Sequence, residues 1–153
     1  MTGKDDVESV AILARAAERA RGGRLDYAGA VTPNEAWHLV RHAGARLVDV
    51  RTPAELKYVG RVPGADLVEW PTGDPAAAER FVAALRDRAD RGQVLLMMCR
   101  SGARSHAAAT AAAAAGYPQA FNVLEGFEGK LDASRHRNAV EGWRFRGLPW
   151  EQE

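Results

Sequence analysis

Helix start signals and short apolar segments alternate along this chain, and this alternation restricts the folds open to it. Residues 32–35 and residues 52–55 each place threonine at the N-cap, proline at N1 and glutamate at N3 of a helix, which is a capping box. Apolar runs of strand length lie between the helical segments, and the run at residues 94–98 is typical of a strand buried on both faces. The pattern predicts an α/β domain with a mainly parallel sheet.

A length of 153 residues suits one domain, and no internal repeat or long linker divides the chain. Residues 1–25 are expected to form an N-terminal helical extension with one apolar face. The residues predicted for that face are Val7, Val10, Leu13, Ala14 and Ala17. Residues 26–153 are expected to form the domain proper, including an aromatic and basic C-terminal tail. Strands are predicted at residues 47–50, 66–69, 94–98 and 121–124.

Composition and charge exclude several classes of protein. The content of 46% hydrophobic and 27% charged residues is typical of soluble globular domains, and no apolar run approaches the roughly 20 residues that span a bilayer. The N-terminal segment lacks the apolar core of a secretory signal, so we expect a cytoplasmic protein with no membrane partner. The net charge of +1 gives no reason to expect nucleic acid as a partner. The single cysteine, Cys99, excludes an intrachain disulfide and a thiolate-rich zinc site.

Cys99 stands in the segment that is expected to carry the chemistry. The apolar run at residues 94–98 leads directly into Cys99-Arg100-Ser101-Gly102-Ala103-Arg104-Ser105, and a helix is predicted to follow. A thiol at the carboxyl end of a parallel strand faces the N–H groups that open the next helix, and the two arginines add positive charge. These effects favour the thiolate over the thiol. Gly102 permits a positive φ, so successive N–H groups can point inward as an anion-binding nest.

Three further segments stand in order around this loop. Residues 47–55 join a strand to a capped helix, and residues 60–65 form a turn. Residues 122–127 contain the end of the last predicted strand and the residues that follow it. Together with the loop at residues 99–104, they resemble the rhodanese family of sulfurtransferases. Arg61 departs from the family pattern, which usually has histidine after the glycine. The resemblance implies a single rhodanese-like α/β domain with a five-stranded, mainly parallel sheet and helices on both faces.

Loop length separates the chemistries that the resemblance allows. Four residues separate Cys99 from Arg104, as in the sulfurtransferases, whereas the related phosphatases and arsenate reductases have five. Ser105 stands where the wider loop requires arginine. The resemblance therefore implies a persulfide on Cys99 held by the N–H groups of residues 100–104, with Arg100 and Arg104 binding an anionic donor, thiosulfate above all. The implied partners are a small-molecule sulfur donor and a thiol or cyanide acceptor, with no cofactor and no metal.

Four residues outside the loop are candidate supporting residues: Asp49, Arg61, Trp70 and Phe127. Asp49 ends a predicted strand on the expected active face. Trp70 and Phe127 follow strands at the same end of the sheet, where they can wall the site. Arg51 is expected to pair with Glu55, which stands four residues further along the chain.

The remaining polar and aromatic candidates are expected to be structural. His38 and His42 share one helix face at a spacing that metal sites use, but no cysteine or carboxylate is visibly placed to complete the set, so no metal is expected. His106 is expected at the surface, where the next helix begins. The tail aromatic residues that we expect to pack onto the domain, with arginines facing water, are Trp143, Phe145 and Trp150.

Three functions stay open at this point. Sulfur transfer is favoured because the loop keeps its cysteine, glycine and arginines. A non-catalytic binding or regulatory module on the same scaffold is the main alternative, and a phosphatase or arsenate reductase is disfavoured by loop length. The physiological donor and acceptor and the oligomeric state are left open, and the N-terminal helix can either cover apolar surface or serve a dimer contact.

Overall fold

The computed structural model describes residues 3–153, in which five helices alternate with five strands. The helices are α1 (Gly3–Gly23), α2 (Pro33–His42), α3 (Pro53–Tyr58), α4 (Ala77–Arg86) and α5 (Ala103–Ala114). The strands are β1 (Gly29–Val31), β2 (Arg46–Asp49), β3 (Asp66–Leu67), β4 (Leu95–Met98) and β5 (Ala120–Val123). They form one sheet in the order β1-β5-β4-β2-β3, and every pair is parallel. The predicted α/β class is confirmed.

The central strand β4 is buried on both faces, as its unbroken apolar sequence predicts. Successive side chains of a strand point to opposite sides, so β4 serves two core layers. Leu95 and Met97 pack in the layer covered by α4 and α5, whereas Leu96 and Met98 pack in the layer covered by α1 and α2. The carboxyl end of β4 is thereby fixed between two helical layers.

Both predicted capping boxes are present. The Thr32 hydroxyl accepts from the N–H of Glu35, and the Glu35 carboxylate accepts in return from the N–H of Thr32. Thr52 and Glu55 repeat this arrangement at the start of α3. Each box satisfies two backbone N–H groups that have no acceptor inside the helix.

The N-terminal region differs from the sequence prediction in two respects. The short strand β1 follows no periodic apolar pattern and was not predicted. The predicted apolar face of α1 is wrong, because Val7 and Val10 are 70% and 68% exposed. The residues of α1 that are buried are Ser9, Ile12, Ala16 and Ala20. Small side chains on this face let α1 approach β1 so closely that a Cβ at Gly29 would lie 2.4 Å from the carbonyl oxygen of Ala16.

The C-terminal tail packs back on the domain, as expected for two of its three aromatic residues. Trp143 is fully buried and meets Trp37 edge-on at 6.0 Å between ring centroids. Trp150 is 37% exposed, but its ring lies against the backbone of Gly60 and meets Phe127 edge-on at 6.5 Å between ring centroids. Phe145 is 46% exposed, so the prediction that it packs onto the domain is wrong. Among residues 3–153, no helix has the length and apolar character that crossing a membrane requires.

Candidate active site

Cys99 lies immediately after β4, and the loop formed by residues 99–102 connects this strand to α5. The cysteine is 1% exposed, and its Sγ accepts a hydrogen bond of 3.1 Å from the N–H of Gly102. Gly102 is the N-cap of α5 and has a φ of +115°, a conformation that side chains rarely adopt. The sulfur therefore lies at the N-terminus of a helix of 12 residues, where backbone donors and the helix dipole favour negative charge.

The segment at residues 126–129 holds the loop backbone through hydrogen bonds to the loop carbonyl groups. The carbonyl of Cys99 accepts from the N–H of Phe127 at 2.8 Å, and the carbonyl of Arg100 accepts from the N–H of Glu128 at 2.9 Å. In a trans peptide the C=O and the following N–H point in opposite directions. The N–H groups of Arg100 and Ser101 are therefore turned away from the supporting segment.

Gly126 permits this close support. A Cβ at this position would lie 2.5 Å from the carbonyl carbon of Arg100 and 2.6 Å from the carbonyl oxygen of Cys99. Its φ of +67° adds a second reason for glycine. Any side chain here would push the two backbones apart and release the loop carbonyls.

The side chain of Ser105 contacts the sulfur of Cys99, and the side chain of Asn122 holds Ser105 in place. The Sγ of Cys99 lies 3.3 Å from the hydroxyl oxygen of Ser105, which in turn donates to the Oδ1 of Asn122 at 2.6 Å. The Nδ2 of Asn122 donates to the carbonyl of Gly102 at 3.4 Å. Because the hydroxyl of Ser105 has one proton and gives it to Asn122, its oxygen is placed to accept from the Cys99 thiol.

The polar contacts continue from Asn122 to the surface. Tyr27 hydrogen-bonds Asn122, and its hydroxyl lies 2.7 Å from the Nδ1 of His106. Burial raises the pKa of Tyr27, and the hydrogen bond with Asn122 partly opposes this rise. His106 is exposed, as expected, but it also contacts a buried tyrosine. An open cavity of about 460 Å³ adjoins these residues and the loop backbone at Ser101, Gly102 and Ala103.

Arg104 is engaged in an ion pair that the sequence did not predict. Its two terminal nitrogens donate to the two carboxylate oxygens of Glu55 at 2.7 and 2.8 Å. Burial acts to raise the pKa of Glu55, but hydrogen bonds from Arg104 and the Thr52 backbone, with the charge of Arg104, lower it to about 2. The pKa of Arg104 is raised by the hydrogen bond with Glu55 and also by the nearby charges of Cys99 and Asp49. Arg104 therefore places a fixed positive charge beside the sulfur.

Arg51 pairs with Asp49 rather than with Glu55, so that prediction is wrong. Arg51 lies in the turn between β2 and α3, where its backbone N–H and its guanidinium both donate to the carboxylate of Asp49, the guanidinium at 2.7 Å, with both side chains buried. Arg51 also donates to the carbonyl of Gly60 at 2.9 Å and lies 4.3 Å above the ring centroid of Phe127. Asp49 is thus connected to the loop through Arg51 and Phe127. The N–H of Phe127 holds the carbonyl of Cys99.

The remaining candidate residues are Arg100, Trp70 and Arg61. Arg100 is exposed on the loop. Trp70 packs against Phe81 at 5.5 Å between ring centroids. Arg61 pairs with Glu151 in the tail at 3.3 Å, and the backbones of these two residues form a bridge.

The pair of histidines on α2 does have a neighbouring carboxylate. Asp5, in the first turn of α1, lies against His38 and His42. The sequence prediction that no carboxylate is placed beside them is therefore wrong, because the crossing of α1 over α2 is a tertiary contact that spacing within one helix does not show.

Comparison with known proteins decides the family. Residues 32–132, more than half of the chain, match the family model described as a rhodanese-like domain. The chain belongs to the rhodanese-like family. This rhodanese-like chain is similar to Rv0390 from M. tuberculosis, whose crystal structure has 47% identity and a TM-score of 0.73, covering 83% of this chain and 99% of that one.

Two curated relatives extend the comparison. An uncharacterized RP600 homolog from Rickettsia rickettsii is 31% identical over 119 residues, which cover 74% of this chain and 88% of the relative. The thiosulfate sulfurtransferase GlpE from Actinobacillus succinogenes is 28% identical over 122 residues, covering 79% and 88% respectively. The sequence resemblance to the rhodanese family is confirmed.

Sequence reasoning about this rhodanese-like site missed the roles of Tyr27, Glu55 and Asn122. The sequence predicts Glu55 as a capping residue and as the partner of Arg51, whereas its partner in the structure is Arg104. Asn122 stood in a recognised segment, and a polar residue at a buried strand position was an available signal. Tyr27 carried no signal, because its contacts with His106 and Asn122 join segments that are far apart in the chain.

Proposed function

We propose that this rhodanese-like protein is a sulfurtransferase in which Cys99 carries sulfane sulfur from thiosulfate to a thiol or cyanide acceptor. The observation that carries the proposal is the hydrogen bond from the Gly102 N–H to the Cys99 sulfur, in a loop whose first two carbonyls are held outward. A sulfur anion here faces backbone donors and a helix N-terminus. The thiosulfate sulfurtransferase among the relatives supports the choice of donor.

The reaction divides into two displacements on sulfur. In the first, the Cys99 thiolate attacks the outer sulfur of thiosulfate, a new S–S bond forms, and the donor's S–S bond breaks with its electron pair leaving on sulfite. In the second, an acceptor thiolate attacks the terminal sulfur and becomes a persulfide, while the electron pair returns to Cys99 as thiolate. Cyanide in the same role gives thiocyanate. Because the chain has one cysteine, the acceptor is a separate molecule.

The two loop arginines receive different roles in this proposal. Arg104 is held by Glu55, so it acts as a fixed charge that stabilises the anionic sulfur rather than as a mobile donor ligand. Arg100 is exposed and is assigned to the capture of the anionic donor.

Ser105 is assigned to positioning the sulfur in both of its states. Its oxygen is placed to accept from the thiol, and its hydroxyl can turn from Asn122 to donate to the sulfur once the thiol is ionised. The variant Ser105→Ala is therefore expected to keep activity at a reduced level.

Steady-state kinetics with thiosulfate and cyanide test the proposal. We expect thiocyanate formation with ping-pong kinetics in the unmodified chain and none with Cys99→Ser. Aryl phosphate and arsenate serve as contrasting substrates. Turnover of either without thiocyanate formation, or no turnover of any of them by a folded chain, would refute sulfur transfer and favour the phosphatase, reductase or binding-module alternatives.

A further inference from the structure

We propose that Asp5, His38 and His42 form a binding site for one divalent transition-metal ion of the zinc class, between α1 and α2. A ring nitrogen of each histidine and a carboxylate oxygen of Asp5 lie within 4.8 Å of one another. The site lies outside the reactive loop and does not depend on the proposed sulfur transfer.

The two histidines are arranged by the helix itself. His38 and His42 stand four residues apart on α2, so their side chains lie on the same face one turn apart. Their ring centroids are 4.7 Å apart. This i, i+4 arrangement lets two imidazoles approach one ion with little change in the backbone.

The third ligand comes from the crossing helix. The Oδ2 of Asp5 lies 3.6 Å from the Nδ1 of His42. Two ligand atoms each about 2.0–2.2 Å from one tetrahedral ion are roughly 3.3–3.6 Å apart. The pair is therefore already near the separation that a shared ion requires.

His38 is oriented by its own hydrogen bonds. Its Nε2 lies 3.1 Å from the hydroxyl of the buried Ser9 and 3.3 Å from the carbonyl oxygen of Asp5. Histidines that bind metals commonly donate their second ring N–H to a backbone carbonyl or polar side chain, which fixes the ring and the tautomer. Ser9 is the one polar residue among the buried residues of α1, and this contact explains its burial.

The donor set selects the class of ion. Two imidazoles and one carboxylate suit Zn²⁺, Co²⁺ or Ni²⁺, whereas Ca²⁺ and Mg²⁺ require oxygen ligands. Three protein ligands leave a fourth tetrahedral position for water. The side chains of His42 and Asp5 are 27% and 32% exposed, and an open cavity of about 560 Å³ adjoins His38 and Asp5, so an ion can enter from solvent.

The consequence of binding is a link between the first turn of α1 and the family domain. Asp5 precedes the residues that match the family model, whereas both histidines lie within them. An ion bound here stabilises the folded state, because the unfolded chain does not hold the three ligands together. At free zinc about 100 times the dissociation constant, we expect Tm to rise by roughly 5–10 °C.

Zinc binding to the full chain, without an affinity tag, tests the proposal. Native mass spectrometry and calorimetry with Zn²⁺ are expected to give one ion per chain, and the same stoichiometry with Cys99→Ser. His42→Gln and Asp5→Asn are expected to weaken binding by at least about tenfold and to abolish the rise in Tm. His136→Gln, which removes an exposed histidine elsewhere, is the matched control and is expected to bind as the unmodified chain does.

Histidine NMR spectra of the unmodified chain provide a test that does not depend on the folding of any variant. Zinc is expected to shift the imidazole signals of His38 and His42 and to leave those of His106 and His136 in place. The proposal is overturned if no ion binds at millimolar zinc, if binding is lost in Cys99→Ser but kept in His42→Gln, or if zinc shifts all four histidines equally.

Discussion

The two capping boxes have the same local hydrogen bonds, but their glutamates bind arginines in different parts of the molecule. Glu35 and Glu55 occupy the same N3 position, bond their own N-cap in the same way, and have pKa values lowered to about 2. Glu35 binds Arg19 and Arg15 of α1, whereas Glu55 binds Arg104 in the first turn of α5, the helix that follows Cys99. One box therefore attaches the N-terminal helix, and the other holds a charge at the candidate site.

A local motif therefore determines where a helix begins but not which arginine its carboxylate binds. Each glutamate uses one of its oxygens on its own helix start, and the arginine that shares the carboxylate depends on which element packs against that helix. Variants that remove one carboxylate at a time separate these roles.

Replacement of Asp49, the partner of Arg51, is expected to have the largest effect on stability. The ion pair of Asp49 with Arg51 is more deeply buried than the ion pairs of Glu35 and Glu55. Asp49→Asn leaves a guanidinium charge in the protein interior, and we expect the free energy of unfolding to fall by about 3–5 kcal/mol. Asp66→Asn, which breaks the partly exposed pair with Arg46, is the control and is expected to cost about 1 kcal/mol or less. Urea unfolding measures both, and equal losses would contradict the structural role of the buried pair.

Two glycines with the same φ test whether the segment at residues 126–129 supports the loop. Gly126 and Gly44 both have a φ of +67°, but a Cβ at Gly44 meets no atom within 4 Å. Gly44→Ala is expected to cost about 1–2 kcal/mol from backbone strain alone. Gly126→Ala is expected to cost about 1–3 kcal/mol more, since it overlaps the loop carbonyls, and to reduce sulfur transfer. Similar losses in the two variants would show that the loop is not held at Gly126.

The capping glutamates themselves are compared by activity. Glu55→Gln removes the charged partner of Arg104, and kcat/KM for thiosulfate is expected to fall at least about tenfold. Glu35→Gln removes the matching partner of Arg19 and is expected to change kcat/KM by less than about twofold, because this pair lies away from the loop. Equal activity of the two variants would exclude a role for Glu55 at the site.

The acid stability of the two variants is expected to be alike. Because the pKa of each glutamate is lowered from 4.5 to about 2, each stabilises the fold above about pH 4.5, and this contribution is lost as the pH falls towards 2. Each glutamine variant is therefore expected to lose less stability than the unmodified chain between about pH 5 and about pH 3. Urea unfolding across this range measures the slope, and an unchanged slope in either variant would contradict the pairing of that glutamate.

Features encoded within one segment were predictable from sequence. The capping boxes depend on residues three apart, the burial of β4 follows from its unbroken apolar run, and the cysteine loop is contiguous. These features give the fold class and the position of Cys99.

Features that depend on contacts between segments were not predictable. Arg51 has carboxylates at two positions close in sequence, and the turn after β2, in which the backbone N–H of Arg51 also binds Asp49, selects Asp49 over Glu55. The buried face of α1 is chosen by the close approach of Ala16 to β1 at Gly29, and this orientation of the helix leaves Val7 and Val10 exposed. The carboxylate beside the α2 histidines likewise comes from a helix crossing.

Intact mass spectrometry after exposure to thiosulfate tests whether Cys99 carries sulfur. We expect a gain of about 32 Da, one sulfur atom, that is reversed by a thiol chase and absent in Cys99→Ser. A folded chain that gains no mass, or that gains it equally when Cys99 is replaced, would contradict the assignment of Cys99 as the sulfur carrier.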